Sequence, residues 1–394
     1  MAYQIRSNIK SAYTISGDIF LLKFERIYPI DAIKSIVSGI KLYNKLIIDS
    51  KEINQFRFNA KQKAAINERE LYVLVIGETA RYSSFSINNY KRKTSPLLEK
   101  TNSIVSFNNV YSEANSTAMS VPILISRANA FDFERRKKEK TILAAFSEAG
   151  FSTYWIGNQG LEDEFIQQAA SQVTKHYFTS KDIDYTDSYD QILWKYLDEI
   201  LKKNEQKQFI VLHTLGSHFR YNFRYPDCFN KFKPSFSGAF GYDQINRMNR
   251  QKLINTYDNS ILYTDFFLGN TIQKINNTRS VSYLYYISDH GENLYEKNTI
   301  FHGGEEPTKF DVHVPLIIWT SDKYNMTFSE KISRIKLNSN QKISSSRTFH
   351  SLLDMANIRI DGEELKKSIA SKQFTPDTIR YMLNSKMEVI SVEK

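Results

Sequence analysis

A few residues of this 394-residue chain are of the types that do chemistry when they converge. Asp289 and His290 stand together in Ser288-Asp289-His290-Gly291-Glu292, and Glu78 follows Gly77 far upstream. An aspartate, a histidine and a distant glutamate are three ligands of the kind Zn²⁺ accepts in a catalytic site, with a fourth position left open. A hydroxyl is offered by the small-residue turn Asn115-Ser116-Thr117-Ala118-Met119-Ser120-Val121-Pro122, which could open a helix. A Thr hydroxyl at a helix N-terminus beside a divalent cation loses its proton far more readily than a free alcohol, and can then attack phosphorus. The same turn reads equally as an ordinary N-cap, and spacing alone does not choose Thr117 over Ser116, Ser120 or Thr79. His218, in Thr214-Leu215-Gly216-Ser217-His218, and His302, in Phe301-His302-Gly303-Gly304, lie beside glycine turns. His218 can converge on the same edge as Glu78, Asp289 and His290, and His302, twelve residues past His290, offers a second approach to it.

The elements that must position these residues are apolar runs that end just before them. Residues 71–76 (LYVLVI), 208–213 (QFIVLH) and 282–287 (SYLYYI) are apolar enough to be strands buried on both faces, as in a parallel sheet. Parallel neighbours end on one edge, which is where open α/β sheets place ligands. Further strands are expected at 103–111, 151–156 and 313–320. A short helix is opened by Thr94-Ser95-Pro96, and longer ones are expected at 141–150, 187–203 and 249–275. Strands regularly separated by helices predict an α/β fold, a doubly wound, mainly parallel sheet flanked by helices. Residues 1–70 carry an amphipathic pattern at 30–46, interrupted by Gly39, then a polar connector at 55–70. The domain division expected is a connector at 1–70 and a catalytic domain at 71–394.

Composition narrows the partners. Lys and Arg total 53 against 43 Asp and Glu, a net charge of +10, which suits an anionic partner. The basic residues read as scattered; the nearest cluster is 135–140 (RRKKEK), and without a nucleic-acid-binding signature an anionic membrane surface is expected rather than nucleic acid. Cys228 is the only cysteine, so there is no intrachain disulfide and no cysteine-based zinc site. No apolar run approaches the roughly 18–20 residues that cross a bilayer, and the N-terminus lacks a signal-peptide core.

The stretches GETARYSSFSINNY, NSTAMSVP, HTLGSH, YDNSILYTD, SDHGENLYE, FHGG and HVPLIIW occur in this order from about residue 71 to 319. In them the chain resembles the lipid A and lipooligosaccharide phosphoethanolamine transferases, of the sulfatase-like branch of the alkaline phosphatase superfamily. The resemblance implies that Glu78, Asp289 and His290 bind zinc with the Thr117 oxygen, and that Thr117 is the nucleophile that becomes modified with phosphoethanolamine. It implies that His218 and His302 line the substrate phosphate or hold a second zinc, and that Asn158 and Gln159 contact the ethanolamine phosphate. It further implies a phosphatidylethanolamine donor, a lipopolysaccharide acceptor, a monomer, and a place at the periplasmic face of the bacterial inner membrane. The chain departs from the family in lacking the transmembrane block; residues 24–46 resemble the juxtamembrane connector that follows that block. It also lacks the disulfides of several members. The neighbouring readings are a sulfatase-like phosphodiesterase, a phosphoglycerol transferase, and a catalytically idle truncated member. A sulfatase is disfavoured because Ala118-Met119-Ser120 after Thr117 does not make C/S-x-P-x-R.

Overall fold

The computed structural model describes residues 53–160, 164–179, 189–296 and 298–393. The amphipathic segment 30–46 lies outside the described residues. One compact unit runs Phe56–Lys394. Its centre is a sheet of seven strands: β1 (Glu70–Gly77), β2 (Ile104–Phe107), β3 (Ser152–Gly157), β4 (Lys175–Phe178), β5 (Lys207–His213), β6 (Val281–Ser288) and β7 (Leu316–Thr320). Their spatial order is β2-β7-β6-β1-β5-β3-β4. The helices that flank it include α1 (Thr117–Ile125), α2 (Ile142–Glu148), α3 (Leu193–Lys202), α4 (Arg250–Asn276) and α5 (Arg347–Met355).

The unbroken apolar run of β1 has a direct consequence, since alternate side chains enter opposite layers. Tyr72, Leu74 and Ile76 pack with Val121 and Leu124 of α1, Phe146 of α2 and Leu352 of α5. Leu71, Val73 and Val75 pack with Leu193 and Leu197 of α3 and with Tyr257, Ile261 and Leu268 of α4. Every residue of β1 is buried, so truncating one of its leucines to alanine would cost about 2–5 kcal/mol. Helices on both faces make the sheet doubly wound, as expected from the alternation of elements.

β7 alone runs against the rest, pairing antiparallel with both β2 and β6. The chain path explains this. After β6 the chain stays at the carboxyl edge through His302, passes the capping box of Thr308 and Asp311, and re-enters the sheet from that same edge. The strand expected at 103–111 is broken: β2 stops at Phe107, and Val110–Tyr111 leaves the sheet to pair with Ile343–Ser344. Residues read as connector are part of the packed body, since Phe58 and Ala60 are buried in the core and Lys61–Gln62 pairs with Ile358–Arg359. Among the described residues no helix is long and apolar enough to cross a membrane.

Candidate active site

The register of the three central strands sets the site. Ile76 is level with His213, and Gly77 with Ser288. The next residues of β1 and β6, Glu78 and Asp289, therefore leave the sheet side by side, and the Asp289 N–H donates to the Gly77 carbonyl at 3.0 Å. Glu78, Asp289 and His290 are all buried, with one ligand atom from each lying within 4.8 Å of the others. Thr117 Oγ1 stands 2.9 Å from Glu78 Oε2, 2.7 Å from Asp289 Oδ2 and 3.3 Å from His290 Nε2. The four residues read from the sequence thus meet at one point.

Geometry also separates the hydroxyls that spacing could not. Ser116 is the N-cap of α1 and makes no side-chain cap bond; Thr117 is the first helical residue, so its hydroxyl is aimed at the carboxylates instead of the helix end. Ser120 Oγ donates to the Ala114 carbonyl at 3.0 Å. Thr79 Oγ1 donates to Glu78 Oε1 at 2.5 Å and is fully buried, whereas Thr117 is half-buried and reachable.

The backbone around the ligands is fixed by close approaches. Gly216, at φ +50°, lies against Glu78 so tightly that a Cβ would fall 2.7 Å from the Glu78 carbonyl oxygen. The Ser217 N–H donates to that same carbonyl. Buried Asp190 holds the turn from behind, accepting the N–H of Leu215 at 2.7 Å and of Gly216 at 2.9 Å. On the other strand a Cβ on Gly291 would lie 2.0 Å from the Phe310 carbonyl oxygen, so no side chain fits there. Ser288 Oγ accepts from the Ala80 N–H and donates to the His290 carbonyl, tying the two strand ends together.

The donor set fits a divalent cation such as zinc. His290 Nδ1 lies 2.9 Å from the Gly291 carbonyl and donates to it, so Nε2 is the nitrogen that faces the carboxylates and that would ligate a cation on giving up its proton. Burial would raise the Glu78 pKa, but the hydrogen bond and charge of His290 outweigh it and hold the carboxyl well below its usual range. Burial and then the Glu78 charge push Asp289 up. Burial would lower His290, yet the carboxylates of Asp289 and Glu78 drive it up to about 10. Two carboxylates facing each other in a dry corner thus demand positive charge, and a cation supplies it. Among the described residues this is the group of three or more such ligands that the structure brings together.

His218 and His302 form a half-buried rim beside this corner. The ring of His302 lies 4.0 Å from that of His290. His218 is near enough for its charge to lower the Glu78 pKa, and its Nδ1 lies 2.6 Å from the Phe219 carbonyl. Phe219 and Phe301, the chain neighbours of the two histidines, meet edge to face at 4.9 Å. Asn158 is not brought to the nucleophile: its amide donates to Asp190 at 3.0 Å and its carbonyl oxygen accepts from Thr179. Gln159 does reach the site, donating to Glu78 Oε2 at 2.8 Å and to the Thr214 carbonyl, so it steadies a ligand.

Two residues were missed in the sequence. Glu292 is fully buried, with Oε1 3.1 Å from His302 Nδ1 and Oε2 accepting the Tyr221 hydroxyl at 2.7 Å. Its place two residues past His290, in a stretch already singled out, was the available signal. Asp190 had none, because it binds the site through backbone N–H groups of a turn 25 residues later in the chain.

With this geometry in hand, comparison with known proteins is informative. The sulfatase family model matches residues 70–358. The phosphoethanolamine transferase EptC of Escherichia coli O18:K1:H7 (strain RS218 / NMEC) is 28% identical over 335 residues, covering 81% of this chain and 56% of that protein. The phosphatidylethanolamine transferase Mcr-1 of Escherichia coli is 32% identical over 280 residues, covering 67% of this chain and 51% of that protein. The crystal structure of the C-terminal periplasmic domain of EcEptC from Escherichia coli in complex with Zn superposes with a TM-score of 0.75 at 27% identity, covering 85% of this chain and 95% of that one. The chain spans about half the length of the curated relatives it matches.

Proposed function

Since the chain belongs to the sulfatase family, we propose that it is the catalytic domain of a phosphoethanolamine transferase, acting on phosphatidylethanolamine at the periplasmic face of a bacterial inner membrane. The single observation that carries the reading is the Thr117 hydroxyl, half-buried at the start of α1 and within 3.3 Å of all three buried ligands. Similarity to Mcr-1, a phosphatidylethanolamine transferase, supports the donor class.

Glu78, Asp289 and His290 would hold one zinc ion together with the Thr117 oxygen, and zinc there would lower the hydroxyl's pKa and offset charge building on phosphorus. Thr117 Oγ attacks the phosphorus of the donor; the Oγ–P bond forms and the bond from phosphorus to the diacylglycerol oxygen breaks. The Thr117 proton passes to a neighbouring carboxylate, of which Asp289 Oδ2 is the nearest at 2.7 Å. His218 or His302, on the open side of the corner, gives a proton to the departing diacylglycerol oxygen. In the second step an acceptor oxygen on lipopolysaccharide attacks the same phosphorus, giving its proton to the histidine that lost one; the Oγ–P bond breaks and Thr117 recovers its proton from Asp289. His218 and His302 can alternatively share a second zinc ion. Asn158 and Gln159, which follow β3, would contact the ethanolamine phosphate while also bonding to Asp190 and Glu78.

Incubation of the purified chain with phosphatidylethanolamine, followed by peptide mass spectrometry, tests this. The expected result is a phosphoethanolamine adduct on Thr117 that a lipopolysaccharide acceptor discharges. Thr117→Ala should abolish the adduct and lower turnover at least about 10³-fold, with zinc still bound by the other three residues. An adduct on Thr79 or on a histidine, or parental turnover by Thr117→Ala, would assign the chemistry elsewhere.

A further inference from the structure

The rim leads into a segment whose composition differs from the rest of the chain. Residues 219–252 hold seven Lys or Arg against two Asp, a net +5, which is half the chain's +10 within 34 residues. Nine of the 34 are Phe or Tyr, about twice the chain's aromatic content of 13%. The basic cluster that stands out by eye, 135–140, is partly offset: Arg135 shares Glu139 with Arg127, and Lys137 pairs with Glu134.

We propose that residues 219–252 form a ridge that seats this domain on an anionic glycerophospholipid bilayer, with the mouth between His218 and His302 turned to the headgroups. The proposal rests on the reading that the donor is a membrane lipid, and names the surface that would bring the site to it. Its crest carries Met248, 96% exposed, and Tyr242, 67% exposed. Lys231, Lys233 and Arg247 are exposed on the same segment, and none is in an ion pair among the described residues. Exposed apolar side chains on a segment that also carries exposed cations suit the headgroup boundary of an anionic membrane.

The ridge is joined to the mouth. Tyr242 stacks on Phe219 at 5.3 Å, and Phe219 follows His218; Phe301, which precedes His302, packs against both aromatic rings. It is also anchored from beneath. Asn259 of α4 accepts the N–H groups of Lys231 and Phe232, Thr256 accepts that of Phe236, and the Tyr295 hydroxyl donates to the Ile245 carbonyl. A rigid support under an exposed apolar crest lets contact with a membrane orient the mouth.

Sedimentation of the full chain with vesicles of phosphatidylcholine alone, or mixed with phosphatidylglycerol, tests the proposal. Binding is expected to the mixed vesicles only, weakening as salt rises. The double variant Lys231→Glu, Arg247→Glu should bind at least about twenty-fold more weakly, since each cation lost near an anionic surface costs roughly five-fold. Met248→Asp should bind several-fold more weakly, and the indole of a Met248→Trp variant should shift its emission to the blue only with mixed vesicles. Emission already blue-shifted without vesicles would overturn the proposal, with sedimentation velocity telling a second copy from cover by the chain itself. Equal competition by soluble polyphosphate, with no effect of Met248→Asp, would overturn it in favour of a polyanion. Undiminished binding by both charge-reversed and Met248→Asp proteins would also overturn it. Adduct formation from a soluble short-chain donor is read separately. Its absence in the parent would fail the transfer reading while leaving the vesicle result to stand, and its retention in the ridge variants is expected.

Discussion

The ligand corner and the histidine rim adjoin each other but are built differently. In the corner, Glu78, Asp289 and His290 sit just past strand ends, at 1% exposure or less: Glu78 accepts from Thr79 and Gln159, Asp289 from the N–H groups of Thr79 and His290, and His290 Nδ1 bonds the Gly291 carbonyl. In the rim, His302 is a quarter exposed and its Nδ1 is held by one buried carboxylate, while His218 depends on a turn. The corner is held by the sheet; the rim is half-buried and adjoins the aromatic residues that follow His218. A buried corner generates charge chemistry and a half-open rim admits substrate, and substitutions should separate the two.

The largest effect is expected from Asp289→Asn in the corner. Zinc content should collapse and turnover fall at least about 10³-fold, equivalent to about 4 kcal/mol of transition-state stabilisation. The metal-free protein should respond in the opposite way. Burial, followed by the Glu78 charge, raises Asp289 to about 7 in the fold, against about 3.9 unfolded. The folded state therefore binds this proton more firmly than the unfolded state does. Its contribution to stability is complete below about pH 4 and is lost as pH rises through 7. Thermal melts of chelator-treated protein should show the parent losing stability across that window and Asp289→Asn losing less. A variant that melts lower than the metal-free parent at pH 8 would show that the two carboxylates do not strain the corner.

Gly216→Ala comes next. At φ +50° and against the Glu78 backbone, an added Cβ must move either the turn or the ligand. The expected cost is about 1–3 kcal/mol in stability, with zinc affinity falling in parallel. A loss of stability without any change in zinc affinity would mean the turn gives way and Glu78 does not.

These two substitutions also mark what was legible in the sequence. β1, β5 and β6 announce themselves as apolar runs, and parallel neighbours must end on one edge, so Glu78, Asp289 and His290 could be placed together from local pattern. Thr117 could be named only by resemblance, because a hydroxyl at a helix start has an ordinary capping role; its aim at the carboxylates depends on how α1 packs on the sheet. The break of β2 at Phe107 and the reversal of β7 were not legible, since both follow from where the chain re-enters the sheet. Nor was the ridge. Its cations are spaced among aromatic residues, whereas the contiguous RRKKEK run drew attention. Nor was the bond from Asn158 to Asp190, which joins two segments distant in the chain.

In the rim, Glu292→Gln should leave zinc content and fold intact while lowering turnover about 10- to 100-fold, the range for residues that orient a catalytic or ligating histidine. Glu292 accepts at one oxygen from His302 and at the other from Tyr221; glutamine keeps the shape but replaces one acceptor with a donor. The loss should fall mainly on kcat, because what changes is the orientation of His302 and not the space for substrate. Loss of zinc from Glu292→Gln would show that the rim is not separate from the corner.

Tyr221→Phe should have the smallest effect, and it distinguishes how the rim is organised. The hydroxyl donates to Glu292 Oε2 at 2.7 Å, and both groups are fully buried. Removing it leaves a buried carboxylate oxygen without that donor, which costs about 1–3 kcal/mol in stability. The ring itself remains, packed edge to face on Tyr257 at 5.1 Å and on Phe219 at 5.6 Å, so the aromatic support of the mouth is unchanged. Oε1 still faces His302, and turnover should drop less than about five-fold, or ~1 kcal/mol. If the tyrosine acts through Glu292, adding Tyr221→Phe to Glu292→Gln should lower turnover no further, a coupling that a double-mutant cycle reads directly. Additive losses, or a single loss as large as that of Glu292→Gln, would mean that Tyr221 reaches the substrate itself. The rim would then be set by its aromatic rings and not by the buried carboxylate.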